Sequence, residues 1–143
     1  MNRRTMPPIG RWIRHCMLGL PFAMGLFAHA DAQTAQRVDV TIRDFTFSAT
    51  QAPLVLNVPT VIAIRNEDGE RHNFDSAVFQ GILTEVETGG VTTYGRGIGG
   101  LFINPGSQVV MRFTVKRPGR YEFRCTIHPN MSGELLLLNI QAV

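Results

Sequence analysis

Cys125-Thr126-Ile127-His128-Pro129-Asn130-Met131 places a thiol, an imidazole and a thioether within seven residues, in C-x2-H-x2-M spacing. A short turn leaving the end of a strand can curl three such side chains around one point. Thiolate and thioether are soft donors and imidazole suits copper, so the set is a candidate metal site. Taken alone, Cys125 reads equally well as a buried thiol that packs like a small hydrophobe. What decides between these readings is how many other donors the working protein possesses.

That count depends on the first thirty residues. Arg3, Arg4, Arg11 and Arg14 give the N-terminus four positive charges and no acid. An apolar run follows from Cys16 to Ala28, and small residues then stand in A-x-A form at Ala28–Ala30 and Ala30–Ala32. A basic region, a short apolar region and a small-residue cleavage site define a secretory signal peptide. The competing reading is a membrane anchor, but the run spans thirteen residues, whereas a spanning helix needs roughly 20. The expectation is a leader over residues 1–32, cleaved near Ala30 or Ala32, and a single domain over residues 33–143. The whole chain has 143 residues, a formal charge of +3 and a sequence pI near 9.4. Cleavage before Gln33 leaves 111 residues with ten basic and ten acidic side chains. The apparent affinity for nucleic acid or anionic lipid then disappears with the leader.

Cleavage also removes Cys16, His15 and His29. One cysteine, Cys125, and two histidines, His72 and His128, remain. A lone cysteine in an exported chain cannot close an internal disulfide. Taken alone, His72 reads as an ordinary, partly exposed histidine. As the only other histidine in the mature chain, it becomes the candidate that completes the set. Two imidazoles and a thiolate with a weak axial methionine form the arrangement of copper electron-transfer sites.

The elements that must position these residues are strands. Val38, Val40 and Ile42, then Phe45 and Phe47, alternate in one run whose apolar side switches parity near Arg43-Asp44, which predicts a strand with a bulge. Leu54–Val58 and Val61–Ile64 are short β-rich runs separated by Pro59, which disfavours a central strand there. Asn66-Glu67-Asp68-Gly69 is a turn signal. Val109, Met111, Phe113 and Val115 alternate with polar residues as a half-buried strand. After the Pro118-Gly119 turn, Tyr121, Phe123 and Cys125 share a face, so Cys125 is expected to point inward at a strand end. A last run begins at Gly133. Between residues 75 and 107, seven glycines from Gly81 to Gly100 predict a less regular region. Its Gly95–Gly100 segment has no strand-then-helix context for a phosphate loop. No segment of useful length has helical periodicity. The class is all-β, a Greek-key sandwich or barrel.

At this point two stretches carry a resemblance. Asn66-x-Asp68-x3-His72-Asn73 and Pro118-Gly119-x-Tyr121-x-Phe123-x-Cys125-x2-His128-Pro129-x-Met131-x-Gly133 resemble the cupredoxins, the small blue copper proteins, with amicyanin-like loop spacing. The resemblance implies a Greek-key sandwich with one type 1 copper at one end, cycling between Cu(I) and Cu(II). It implies His72, Cys125 and His128 as equatorial ligands and Met131 as the weak axial one. It further implies that the Asn73 backbone N–H donates to the Cys125 sulfur, that Asn73 and Thr126 flank the ligands, and that the edge of His128 is the electron route. Ile127 departs from the pattern, standing where amicyanin-like loops commonly have proline.

Counting narrows the function. A binuclear copper centre needs two cysteines, and a multicopper oxidase or copper nitrite reductase needs further histidines. A three-histidine zinc site cannot be built from two. A Cys/His nucleophile pair is conceivable but gives Met131 no role. The expectation is a periplasmic, monomeric, non-enzymatic one-electron carrier that meets redox partner proteins. The competing expectation is a copper-buffering, trafficking or tolerance protein of the same fold. Neither reading involves nucleic acid or stable membrane insertion.

Overall fold

Val38, Val40 and Ile42 point to one side of strand β1 (Gln36–Arg43) and are all buried. The computed structural model describes residues 33–50 and 53–139. The expected signal peptide lies outside them. The chain continues through β2 (Thr46–Ala49), β3 (Leu54–Val55), β4 (Pro59–Asn66) and β5 (His72–Ser76). A 3-10 turn, Ala77–Phe79, leads to β6 (Leu83–Thr88), β7 (Val91–Arg96), β8 (Leu101–Ile103), β9 (Gln108–Thr114), β10 (Gly119–Arg124) and β11 (Ser132–Leu138). One sheet has the order β2-β1-β4-β9-β6-β7, and the other has the order β3-β11-β10-β5-β8. The expected all-β sandwich is therefore present.

Period-two patterning explains which side chains meet between the sheets. Ile62, Ile64, Val109, Met111, Phe113 and Val86 join the β1 residues from the first sheet. Phe74, Phe123, Leu135, Leu137 and Ile103 face them from the second. Phe74 and Phe123 stack with centroids 4.8 Å apart, and Phe47 meets both edge-on. The alternation expected at Val109–Val115 and at Tyr121–Cys125 is seen as a buried face on β9 and at the end of β10.

Three strand expectations are corrected, and a fourth correction concerns the glycine-rich region. The parity switch near Arg43-Asp44 is a hairpin, not a bulge. Asp44 and Phe45 both have positive φ (50° and 56°), and β2 folds back antiparallel on β1. Such a two-residue turn needs φ > 0 at both central residues. Pro59 does not exclude a central strand. It occupies the first position of β4, where the missing N–H costs least, and β4 lies between β1 and β9. The run from Leu54 is strand only over Leu54–Val55.

The glycine-rich region is largely regular. Leu83–Thr88 and Val91–Arg96 form a hairpin turning at Gly89-Gly90 and extend the first sheet beyond β9. Arg112 on β9 reaches across to Glu85 and Glu87 on the outer face, and these pairs raise its pKa, led by the Glu87 hydrogen bond. β8 lies beside β5 and braces His72–Phe74.

Gly133 carries a packing constraint. A Cβ there would lie 2.3 Å from Cζ of Phe123, well inside contact distance. Gly133 pairs with Phe123 across β10 and β11, immediately beyond the Cys125 loop. Gly133→Ala should push Phe123 from its stack and destabilise the protein by about 1–3 kcal/mol. Urea denaturation checks this, and a variant as stable as the parent would show that the ring can move freely.

Candidate metal centre

β5 and β10 are antiparallel neighbours, with Phe123 opposite Ser76 and Arg124 opposite Asp75. Continuing that register brings the end of β10 towards Asn73 and His72. Cys125 therefore leaves β10 opposite Phe74, and Thr126 falls opposite Asn73, the residue that follows His72. The loop after it returns at once, because Cys125 N–H donates to the Met131 carbonyl at 3.0 Å. Asn130, with φ of 62°, makes the last bend in a conformation that asparagine tolerates well.

This closure gathers three donors. Cys125 Sγ lies 3.9 Å from His72 Nδ1 and 3.5 Å from His128 Nδ1, and the two Nδ1 atoms are 3.0 Å apart. A point equidistant from the three atoms lies about 2 Å from each, close to the ~2.0–2.3 Å of metal–imidazole and metal–thiolate bonds. His72, Cys125 and His128 are the cluster of metal-ligating type among the described residues. His72 is 0% exposed and Cys125 4%, while His128 is half-buried. Met131, the fourth expected ligand, is buried at the far end of the same loop, 3% exposed. The donor chemistry and the spacing together fit a soft cation such as copper.

Asn73 locks the loop to β5. Its backbone N–H donates to Cys125 Sγ at 3.5 Å, its Nδ2 donates to Thr126 Oγ1 at 2.8 Å, and its Oδ1 accepts from Thr126 N–H at 2.7 Å. Asn73 and Thr126 are thus brought together. Gly100 makes room for it, since a Cβ there would come within 2.8 Å of Asn73 Nδ2.

Two residues with no role assigned from sequence also belong to the site. Asp68 Oδ2 lies 2.9 Å from His72 Nε2, and its carboxylate accepts the backbone N–H groups of Asp44 at 2.6 Å and Phe45 at 3.1 Å. Burial pushes the Asp68 carboxyl up, but the hydrogen bonds from Phe45, Asp44 and His72 outweigh it, and its pKa lies below the ordinary value. Phe45 sits edge-on to both imidazoles, with centroids 5.4 Å from His72 and 5.1 Å from His128. Its ring is half-exposed, so it roofs the cluster at the surface. Asp68 was visible in the Asn66–His72 pattern, but nothing local links it to a turn more than twenty residues upstream.

A two-sheet β-sandwich with a cysteine and two histidines gathered at one end is a cupredoxin-like arrangement. No protein-family model matches the chain, and no curated protein matches it in sequence. Solved structures do match. Auracyanin A, titled a "blue" copper protein of Chloroflexus aurantiacus, is similar over 73% of this chain and 100% of its own, with a TM-score of 0.50 and 14% identity. A multi-copper oxidase from Pediococcus acidilactici is similar over 79% of this chain and 29% of its own, with a TM-score of 0.56 and 12% identity. A multicopper oxidase from Campylobacter jejuni is similar over 79% of this chain and 32% of its own, with a TM-score of 0.51 and 13% identity. The chain spans about a third of the length of these oxidases and matches auracyanin A end to end. At such identities the likeness is one of fold, and the fold is cupredoxin-like.

The Asn73 bracket makes a prediction for the metal-free protein. Asn73→Ala removes two side-chain hydrogen bonds and leaves the Thr126 N–H without its partner, which should cost about 1–3 kcal/mol. Faster amide exchange at Thr126, together with a lowered urea midpoint, is the expected signature. Unchanged exchange would mean that the loop is held by other contacts.

Proposed function

We propose that this protein is an exported, soluble carrier of single electrons that binds one type 1 copper ion through His72, Cys125 and His128, with Met131 as the weak axial ligand. One observation carries the reading: the three donors already stand in a compact triangle, and two of them are buried. Copper held there would gain and lose one electron between Cu(I) and Cu(II).

The chain's own residues supply what that chemistry needs. Asn73 N–H directed at the Cys125 sulfur withdraws charge from it and holds its position, a contact of the kind that tunes a metal site's potential. The closed Cys125–Met131 loop, Phe45 and the stacked Phe74 and Phe123 restrain the ligands. Little rearrangement is then required when the charge changes. His128 is the donor nearest the surface, beside the exposed side chains of Phe45 and Ile127. It is the proposed electron route towards a redox partner protein. The mature chain offers only His72 and His128 as imidazoles, which leaves none for a second, catalytic copper centre. This favours a carrier over an oxidase, and we place that carrier, as a monomer, in the periplasm.

Copper buffering or trafficking would use the same fold, but it demands ready release. A site with His72 and Cys125 buried favours retention. Copper added to the purified protein should produce an intense thiolate-to-copper charge-transfer band that Cys125→Ser abolishes. A colourless protein without stoichiometric uptake would remove the assignment. Met131→Gln should retain copper and lower the reduction potential, as read by voltammetry; an unaltered potential would show that Met131 is not axial. A carrier should also keep its copper through repeated redox cycles in the presence of a Cu(I) chelator, whereas a trafficking protein should surrender it.

A further inference from the structure

We propose that Asp68 is a positioning residue of the metal site: its ionised carboxylate fixes the proton of His72 on Nε2, presents Nδ1 as the free donor, and favours the oxidised ion. The last part rests on the copper reading, while the first two concern the metal-free protein itself.

The argument is one of hydrogen-bond supply. The Asp68 side chain is only 9% exposed. A carboxylate so enclosed must find donors, because an unpaired buried charge is costly. Two are backbone groups, the N–H of Asp44 on Oδ1 and the N–H of Phe45 on Oδ2, and His72 Nε2 stands 2.9 Å from Oδ2. The first two can only donate, so both oxygens are already committed as acceptors. An ionised carboxylate has no proton of its own to give. His72 must therefore donate through Nε2. A neutral imidazole that donates through one nitrogen accepts through the other, and the other is Nδ1, the atom facing Cys125 Sγ and His128 Nδ1. Of the two neutral forms of His72, the one needed for metal ligation is thus selected before any ion arrives.

Asp68 is itself held. Its backbone N–H donates to Asn66 Oδ1 at 3.0 Å, and Asn66 Nδ2 donates to the carbonyls of Glu70 and Ile103. Asn66 is fully buried, so this turn has a fixed foundation. On its other side the carboxylate secures the Asp44-Phe45 turn, whose positive φ values are otherwise unfavourable for a bulky residue. Phe45 reaches both imidazoles from that turn. One side chain therefore orients a buried ligand directly and the aromatic roof indirectly. Carboxylate–histidine–metal chains of this kind raise ligand basicity, and their loss typically costs 10–100-fold in metal affinity. The extra negative charge acts more strongly on Cu(II) than on Cu(I).

The test uses the purified protein, the variants Asp68→Asn and Phe45→Ala, and copper as the probe. Long-range 1H–15N spectra of the metal-free protein read the His72 tautomer without requiring copper. The parent protein and Phe45→Ala should both show the proton on Nε2, and Asp68→Asn should show a mixture of tautomers. With copper, Asp68→Asn should lose at least tenfold more affinity for Cu(II) than for Cu(I). A tenfold difference raises the one-electron potential by about 59 mV. A proton on Nδ1 in the parent overturns the tautomer claim, whether or not copper binds and whether or not the variant folds. A copper-loaded Asp68→Asn with the parent's potential overturns the charge claim. Failure of every variant and of the parent to bind copper removes the copper reading instead, and leaves the tautomer result to decide the role of Asp68.

Discussion

Three hydrogen bonds from one residue join the two halves of the site. Asn73 follows His72 on β5 and grips the first two residues of the loop that leaves β10, through Cys125 Sγ, Thr126 N–H and Thr126 Oγ1. The backbone ladder between β5 and β10 ends near Arg124 and Asp75. Beyond it, the Asn73 side chain substitutes for the missing ladder bonds. Everything about the cluster depends on this substitution, because His72 and Cys125 are 53 residues apart in sequence and converge only if these two strand ends stay in register. The sandwich supplies the register, and the stacked Phe74 and Phe123 keep the two strands level beneath the site.

A second constraint acts from the opposite sheet. The β1–β2 hairpin brings Phe45 over the imidazoles, and Asp68 ties that turn to His72. The Arg43–Glu67 ion pair at the same edge joins the same two turns. The donors are thereby enclosed from both sheets, with the half-buried ring of His128 nearest the surface. Burial with preformed hydrogen bonds is what a site needs if charge is to change without rearrangement. It is also what slows exchange of a bound ion, so the same geometry argues for retention.

The loop from Cys125 to Met131 was legible because its donors are covalently close, and a seven-residue turn can hardly avoid bringing them near one another. His72 was legible by subtraction, once the expected leader was set aside. The alternation of β9 and β10 was legible because each buries one face. The turn at Asp44-Phe45 was not. Its residues lack the Asn-Gly or Asp-Gly signature, and its positive φ values are supported by a carboxylate that arrives from the Asn66–Gly69 turn. Asp68 was visible as part of a pattern but had no role, since its partners are set by tertiary structure. The region from 75 to 107 was obscured by its glycines. Their number suggests loop, yet Gly89-Gly90 simply turns a hairpin, and Gly100 allows a close approach to Asn73. Pro59 looked like a strand breaker and proved to be a strand's first residue.

The central claim is that one thiolate and two imidazoles, preset by Asn73 and Asp68, hold a single copper ion in nearly the same surroundings in both oxidation states. X-ray absorption at the copper edge, recorded on the oxidised and the reduced protein, tests it most directly. The account predicts one short sulfur and two nitrogen neighbours in each state, with nitrogen distances near ~2.0–2.1 Å and only slight lengthening on reduction. A spectrum without the short sulfur neighbour, or one in which reduction removes a nitrogen, would contradict it.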